Sequence, residues 1–318
     1  MILEACIFLV WLVVLSWAAD RFVFGASAFA KNIGVSPMII GLTIVAMGSS
    51  APEIMVAATA SFNGATDTAV GNAIGSNITN IALVLGITAF LKPLSIASGT
   101  LKKEMPVLLA FSLLAVYFLS DFELSRIEGI ILISLFFLVI GGLTWMSFNM
   151  ELSDPILSET ESEIPSDVPT SKAILWLIVG MILLPLSAHF MVNSAEIIAR
   201  HFGLSELVIG LTIIAIGTSL PELAACIAGV LKNEDDLVLG NIIGSNIFNI
   251  LAVMAMPGLI APGAIDANAA SRDSYVMLGL TLLLIIFSFN FKGSRRIYRI
   301  EGLCLIACFL GYQALLFS

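Results

Sequence analysis

The chain has 318 residues, of which 59% are hydrophobic and only 12% are charged. This composition is too apolar for a soluble domain of this length, and it places the chain in the membrane class. The formal net charge of −9 does not require a cationic partner, because a cluster of acidic residues lies in one Pro- and Ser-containing segment, 151–167, which is typical of a solvated linker.

Apolar stretches of about 17 to 25 residues recur along the chain, and each could cross a ~30 Å hydrocarbon core as a helix. The first stretch lacks the basic start and small-residue cleavage site of a signal peptide, so we expect it to be retained. The sequence predicts an all-α membrane protein with ten transmembrane helices. The predicted spans are 2–20, 37–61, 69–91, 105–120, 127–148, 173–198, 206–230, 237–260, 275–291 and 300–317.

The basic residues indicate how such a chain is oriented. Of the 14 Lys and Arg residues, only Arg126, Arg200 and Arg272 lie in loops that follow even-numbered spans. Cytoplasmic loops carry the excess of Lys and Arg in membrane proteins. We therefore predict a multi-pass protein of the cell inner (plasma) membrane, with both termini on the periplasmic or extracellular face.

Two motifs of the first half recur in the second half, each 169 residues later. Gly41–Glu53 (GLTIVAMGSSAPE) returns as Gly210–Glu222 (GLTIIAIGTSLPE), and Gly71–Asn80 (GNAIGSNITN) returns as Gly240–Asn249 (GNIIGSNIFN). Duplicated halves are common in transporters. Because each half holds an odd number of spans, the second half must enter the membrane from the opposite side. This predicts two inverted five-helix repeats, 1–148 and 173–318, joined by an acidic cytoplasmic linker, 149–172.

Each copy of the first motif contains a proline directly before a glutamate. Pro52 and Pro221 lack an amide hydrogen and should break their helices near the membrane midplane. In hydrocarbon an unpaired carbonyl costs several kcal/mol, so a break persists only where protein, water or an ion supplies a partner. Glu53 and Glu222 follow these breaks with no Lys, Arg or His in either motif to neutralise them. Intramembrane carboxylates of this kind are usually functional.

The residues around the two glutamates are hard oxygen donors. Hydroxyls, amides, carbonyls and two carboxylates suit sodium or calcium, whereas the motifs lack the His and Cys that softer metals prefer. Gly71, Gly75, Gly240 and Gly244 are predicted to serve close helix packing, and the four cysteines to be buried apolar residues without a role. The predicted donors are Thr43, Ser49, Ser50, Asn72, Ser76, Asn77 and Asn80 in one half, and Thr212, Thr218, Ser219, Asn241, Ser245, Asn246 and Asn249 in the other.

These motifs resemble the two alpha-repeats of the sodium/calcium exchanger family, within the cation/calcium antiporter group. The signatures G-[ST]-S-x-P-E and G-N-x-x-G-S-N-x-x-[ND] occur in both halves, and the likeness covers essentially the whole chain. The resemblance implies ion sites arranged as a diamond at the membrane centre, with Glu53 and Glu222 as shared ligands. It further implies hydroxyl ligands at Ser49, Ser50, Thr218 and Ser219, backbone ligands at Ala46 and Ala215, and flanking or middle ligands at Ser76, Ser245, Asn80 and Asn249.

The expected activity is sodium/calcium exchange by alternating access. Two empty carboxylates carry a charge of −2 that resists burial, whereas one calcium ion or several sodium ions cancel it, so the cargoes compete for one site. Exchange of three sodium ions for one calcium ion would be electrogenic. Some family members carry an aspartate where this chain has Asn249, which makes potassium independence the expectation. Spans one and six are the predicted moving helices.

Three alternatives remain open from the residues. The same fold could couple calcium to protons, since buried carboxylates can also be discharged by protonation. A passive channel could line its pore with broken helices. A membrane-embedded enzyme could use paired acids, but no HExxH, nucleophile elbow or phosphate-binding loop supports one, so no enzyme is predicted. The predicted partners are calcium, sodium and the lipid bilayer, with no cofactor, nucleic acid or protein partner.

Overall fold

The computed structural model of the chain describes residues 2–34, 48, 50–96, 104–147, 168–232, 235–289 and 296–317. Helices dominate both halves. The first half contains α1 Ile2–Asn32, α2 Ala51–Phe62, α3 Thr66–Ile78, the π-helix π1 Thr79–Val84, α4 Leu85–Leu91, β1 Leu94–Ser95, α5 Met105–Leu119, β2 Glu123–Leu124 and α6 Arg126–Ser147. The second half contains α7 Thr170–Phe202, α8 Glu206–Ile209, π2 Gly210–Ile214, α9 Ala215–Thr218, α10 Leu220–Lys232, α11 Asp235–Phe248, π3 Asn249–Val253, α12 Ala255–Ile260, β3 Gly263–Ala264, π4 Ala269–Asp273, α13 Ser274–Ser288, β4 Arg296–Ile297 and α14 Arg299–Leu316.

Seven helical stretches among the described residues are long and apolar enough to cross a membrane. The shorter apolar helix α5 and the helix α6 coincide with further predicted spans, and α2 covers the end of the predicted span 37–61, of which 37–47 lie outside the described residues. The predicted all-α membrane class is confirmed, while the count of ten spans stays a prediction. The seven stretches are Ile2–Asn32, Thr66–Leu91, Thr170–Ile198, Glu206–Leu231, Val238–Ile260, Ala269–Ser288 and Arg299–Leu316.

The predicted end of the first span, at residue 20, is wrong, because α1 continues to Asn32. Asp20 and Arg21 do not end the helix, since they neutralise each other through an Arg21 Nε–Asp20 Oδ2 hydrogen bond of 2.9 Å. The Arg21 guanidinium also lies over the rings of Phe24 and Trp176, at 5.2 and 5.6 Å. Because Asp20 and Arg21 are paired with each other on the helix surface, their charges are compatible with a membrane span that continues past them.

Helices α1 and α7 form an antiparallel pair. A Cβ atom placed on Gly25 would lie 2.8 Å from the backbone oxygen of Ala173, so the two backbones are in direct contact. At the end of α1, the Asn32 Nδ2 donates to the carbonyl of Val168 at 3.0 Å. The indole of Trp11 stacks on Phe190 with centroids 4.7 Å apart. The contacts extend along both helices, and the sixth span is accordingly longer than the predicted 173–198.

The segments between helices gather at two opposite ends of the molecule. At one end, Asp67 at the start of α3 accepts the amide of Asp266 at 2.7 Å. At the other end, Asp235 at the start of α11 accepts the amide of Ser95 at 3.0 Å. Helices α3 and α11 carry the two copies of the second motif, and they start from opposite ends. The predicted inverted topology is therefore confirmed.

Two short antiparallel ribbons join the halves, one at each end. Strand β1 pairs with β4 in the register Leu94↔Ile297, and β2 pairs with β3 in the register Leu124↔Gly263. Strands β1 and β3 are separated by the repeat offset of 169 residues. Each ribbon thus takes one strand from each repeat, and the repeat symmetry exchanges the two ribbons.

Glycines allow the repeats to approach closely at the centre. A Cβ atom on Gly71 would lie 2.7 Å from the Leu207 oxygen, and one on Gly75 would lie 2.7 Å from the Leu211 Cα. The predicted packing role of Gly71 and Gly75 is confirmed. For Gly240 and Gly244, the corresponding segment of the first repeat, 41–46, lies outside the described residues. Close backbone approach of this kind is typical of helix association in membranes.

Candidate cation-binding site

Both first-motif helices are broken at the predicted position. Helix α2 begins after Ser50, whose φ and ψ are −90° and 4°, and α10 begins after Ser219, whose values are −85° and 3°. The matching dihedral angles show that the two repeats make the same break. Pro52 and Pro221 occupy the second position of the new helix, where a missing N–H removes no intrahelical hydrogen bond.

The breaks place Glu53 and Glu222 at the third position of α2 and α10. A helix N-terminus carries unpaired N–H groups and a partial positive charge, which favours an ionised carboxylate there. The preceding helix, α9, ends at Thr218, and the carbonyls at a helix C-terminus carry partial negative charge. The break thus combines a fixed anion with carbonyls that can attract a cation.

Both glutamates are buried, with a relative exposure of 1% for each residue. All four of their carboxylate oxygens lack a hydrogen-bond partner among the described residues, as do the hydroxyls of Ser50 and Ser219. Unpaired buried anions are costly unless a counter-charge accompanies them. The arrangement therefore fits a bound cation.

Asn72 connects the two repeats beside the glutamates. Its Nδ2 donates to the backbone carbonyl of Glu53 at 3.2 Å. Its Oδ1 accepts from the hydroxyl of Ser76 at 3.4 Å and from the hydroxyl of Thr218, in the other repeat, at 3.5 Å. One amide thus fixes the start of α2 relative to the end of α9. Asn72 is one of the predicted oxygen donors, but its bridge between the repeats was not predicted.

The second motif ends in a π-helix in both repeats. The amide of Leu85 bonds to the carbonyl of Asn80, and the amide of Met254 bonds to the carbonyl of Asn249 at 2.9 Å, each five residues back. The side-chain amides of Asn80 and Asn249 have no partner among the described residues. Helix π1 packs against α10 and π3 against α2. π-bulges are frequent at functional sites, and here both asparagines lie in π-helices that pack against the helices carrying the glutamates.

Ten of the twelve predicted ligands are described, and all ten are buried. They lie at the two breaks and along the second-motif helices, while Ala46 and Ser49 lie outside the described residues. Among the described residues, no cluster of three or more His, Cys, Asp or Glu could hold a metal. The predicted ligands that are described offer two carboxylates together with neutral oxygens. The ten are Ser50, Glu53, Ser76, Asn80, Ala215, Thr218, Ser219, Glu222, Ser245 and Asn249.

Comparison with known proteins gives consistent matches over the whole chain. The family described as "Sodium/calcium exchanger protein" matches residues 3–145 and 172–318. The protein CaxA of Alkalimonas amylolytica is 57% identical over 99% of both chains. The inner membrane protein YrbG of Escherichia coli is 41% identical over 100% of this chain and 98% of the relative. A solved structure of the sodium-calcium exchanger NCX_Mj, soaked with Na⁺ and Sr²⁺, superposes with a TM-score of 0.65 at 33% identity, covering 99% and 98% of the two chains.

Proposed function

Because this chain belongs to the sodium/calcium exchanger family and is a membrane cation/calcium antiporter, we propose that it exchanges sodium for calcium at Glu53 and Glu222. The observation that carries the proposal is the set of four buried carboxylate oxygens without a hydrogen-bond partner among the described residues. Calcium or several sodium ions would cancel the charge of −2, so the two cargoes exclude each other. The ten described polar and backbone ligands, with Ala46 and Ser49, complete the proposed ion sites.

The position of α1 supports alternating access by the pair α1 and α7. A Cβ atom on Gly217 would lie 3.2 Å from the side chain of Leu12, and one on Gly48 would lie 2.5 Å from Val23 Cγ2. These two glycines are repeat equivalents just before the two breaks, so α1 lies across both. In the most apolar part of each of these two helices, only 28% is buried inside the protein. A peripheral pair that lies across the site can move relative to the central helices.

We further propose that exchange is electrogenic and potassium-independent. A three-for-one exchange moves one net charge, which a membrane potential drives by about 2.3 kcal/mol per 100 mV. Asn249 leaves the site with two carboxylates rather than three, so it needs no additional monovalent cation for neutrality. The proposed organisation is two repeats, 1–148 and 173–318, joined by an acidic cytoplasmic linker, 149–172, with both termini on the periplasmic face of the inner membrane.

Proton coupling is the second candidate, because protonation of Glu53 and Glu222 would also discharge an empty site. The test uses purified protein in proteoliposomes. One sample carries an outward sodium gradient at equal pH, and the other carries a pH gradient without sodium. Sodium exchange predicts ⁴⁵Ca²⁺ uptake in the first sample alone, and uptake that increases with an inside-positive diffusion potential. Uptake in the second sample alone would move the assignment to a proton-coupled antiporter.

A further inference from the structure

Asn72 and Asn241 occupy equivalent positions in the two repeats but bind different partners. Asn72 Nδ2 donates to the carbonyl of Glu53 at 3.2 Å. By symmetry, Asn241 should donate to the carbonyl of Glu222. Its Nδ2 donates instead to the sulfur of Cys226, at 3.6 Å. The start of α2 is therefore held by an amide bridge, whereas the start of α10 is not held by the equivalent one.

A single residue difference accounts for the alternative partner. Cys226 lies one turn after Glu222 in α10, and its repeat equivalent in α2 is Ala57, which offers no side-chain acceptor. Both residues are buried. The Cys226 thiol is itself oriented by the carbonyl of Val238, at 4.0 Å. A thiol sulfur is a weak acceptor, so the bond from Asn241 is easily exchanged for a better one.

The inverted repeat gives this asymmetry a functional meaning. A two-fold axis in the membrane plane exchanges the two repeats and also the two faces of the membrane. If the repeats exchange their conformations, the molecule opens toward the opposite face. In that state Asn241 would donate to the carbonyl of Glu222, as Asn72 now donates to the carbonyl of Glu53.

We propose that Asn72 and Asn241 are positioning residues that brace the two helix breaks in turn, and that Cys226 holds Asn241 aside in the present state. The inference rests on the proposed alternating-access function. When Asn72 donates to Glu53, the α2 break is fixed to Thr218 of the other repeat. In the opposite state Asn241 fixes the α10 break, and Asn72 is left beside Ala57. The sulfur at position 226 biases the chain toward the present state.

Exchanging the two side chains tests this bias. Cys226→Ala removes the partner of Asn241 in the present state, and Ala57→Cys supplies a partner for Asn72 in the opposite state. Each single variant should increase the ratio of the opposite state to the present state. In the double variant, the factor of increase should be the product of the two single factors. Because a minor state lowers apparent affinity in proportion to its population, the calcium affinity should rise at one face and fall at the other. We expect about two- to threefold per single variant, as for a weak neutral hydrogen bond.

The measurement is ⁴⁵Ca²⁺ uptake in right-side-out and inside-out vesicles, with the ratio of apparent affinities at the two faces as the readout. Asn241→Ala is the matched variant, because it removes the brace of the opposite state and should shift the ratio the other way. In that background, Cys226→Ala should add no shift. Equal changes at both faces, or an unchanged ratio in the double variant, would overturn the proposal.

A second readout separates this proposal from the proposed function, since it needs no transport. Amide hydrogen exchange in the purified protein should be slower in the first turn of α2 than in the first turn of α10. The double variant should reverse that order. Absence of any calcium flux in the wild type would contradict the antiport function alone, whereas an unreversed exchange pattern would contradict the bracing.

Discussion

The hydroxyl oxygens of Ser112 and Thr281 lie 3.4 Å apart, and the two residues are separated by 169 positions, the offset that relates the repeats. Each hydroxyl also meets the carbonyl four residues back, at Leu108 for Ser112 and at Met277 for Thr281. Symmetry equivalents that touch must lie on either side of the symmetry axis. The axis therefore passes between α5 and α13, and Glu53 and Glu222 are related by the same offset.

A cross-link would test this position of the axis. In a background without the four native cysteines, Ser112→Cys and Thr281→Cys should form an intramolecular disulfide under a membrane-permeant oxidant, because the two side chains already meet. A protease site is inserted in the linker 149–172 so that the chain can be cut into two halves. If the disulfide has formed, the two halves stay joined after cleavage until a reductant is added. Each single cysteine variant is the control. Halves that separate without reduction would contradict the contact.

Gly75→Ala should destabilise the centre of the protein. The added Cβ would lie 2.7 Å from the Leu211 Cα and 2.8 Å from the Ala215 Cβ. Neither neighbour is a flexible side-chain end, so overpacking should cost about 1–3 kcal/mol. The expected result is a lower midpoint of thermal unfolding in detergent. Gly311→Ala, on the exposed side of α14 with nothing within 4 Å of the new Cβ, should leave the midpoint unchanged or raise it. Equal midpoints for both variants would show that the interface is looser than described.

The buried carboxylate of Asp273 should contribute to stability rather than to ion binding. It accepts from Arg272 Nε at 2.7 Å and from the hydroxyl of Tyr312 at 2.9 Å. Asp273→Ala leaves the arginine without this partner and should cost about 2–4 kcal/mol, while Tyr312→Phe should cost about 1 kcal/mol. Thermal unfolding in detergent would rank the two. Calcium affinity of the folded fraction should stay at the wild-type value, and a selective loss of affinity would place Asp273 in the ion path.

Asn249→Asp would add a third carboxylate beside the two glutamates. One calcium ion would then leave a charge of −1, so we expect calcium uptake to depend on an added monovalent cation. The repeat equivalent Asn80→Asp should act in the same direction, because both side-chain amides lack a partner among the described residues. The measurement is ⁴⁵Ca²⁺ uptake as a function of sodium and potassium on the calcium side. If calcium uptake by both variants did not depend on sodium or potassium, a charge at position 80 or 249 would not affect the neutrality of the ion site.

The repeat, its inversion and the two breaks could all be predicted from the sequence. The offset of 169 residues is visible in the motifs themselves, and an odd number of spans per half requires inversion. Pro52 and Pro221 act through covalent chemistry, since neither can donate the hydrogen bond that a continuous helix needs. Features that depend on a local chemical constraint are therefore readable without tertiary structure.

Other features depend on tertiary partners and were not predicted. The length of α1 is one case, because Arg21 is accommodated by Asp20 and by a ring on α7. The π-helices are another, since a shift from four- to five-residue hydrogen bonds has no residue signature in the motifs. The choice of Cys226 as the partner of Asn241 depends on two helices meeting. The ligand roles of the buried oxygens are a different case, because they were predicted from the sequence and stay predictions.

If Glu53 and Glu222 bind the exchanged ions, charge-neutral variants of either glutamate should abolish exchange. The measurement is ⁴⁵Ca²⁺ uptake by sodium-loaded proteoliposomes in sodium-free medium, comparing the wild type with Glu53→Gln and Glu222→Gln. Glutamine preserves the shape of each side chain but removes the charge that calcium must cancel. We expect sodium-dependent uptake in the wild type and its loss in both variants, while thermal unfolding shows that both variants are folded. Sodium-driven uptake that persists in either folded variant would contradict it.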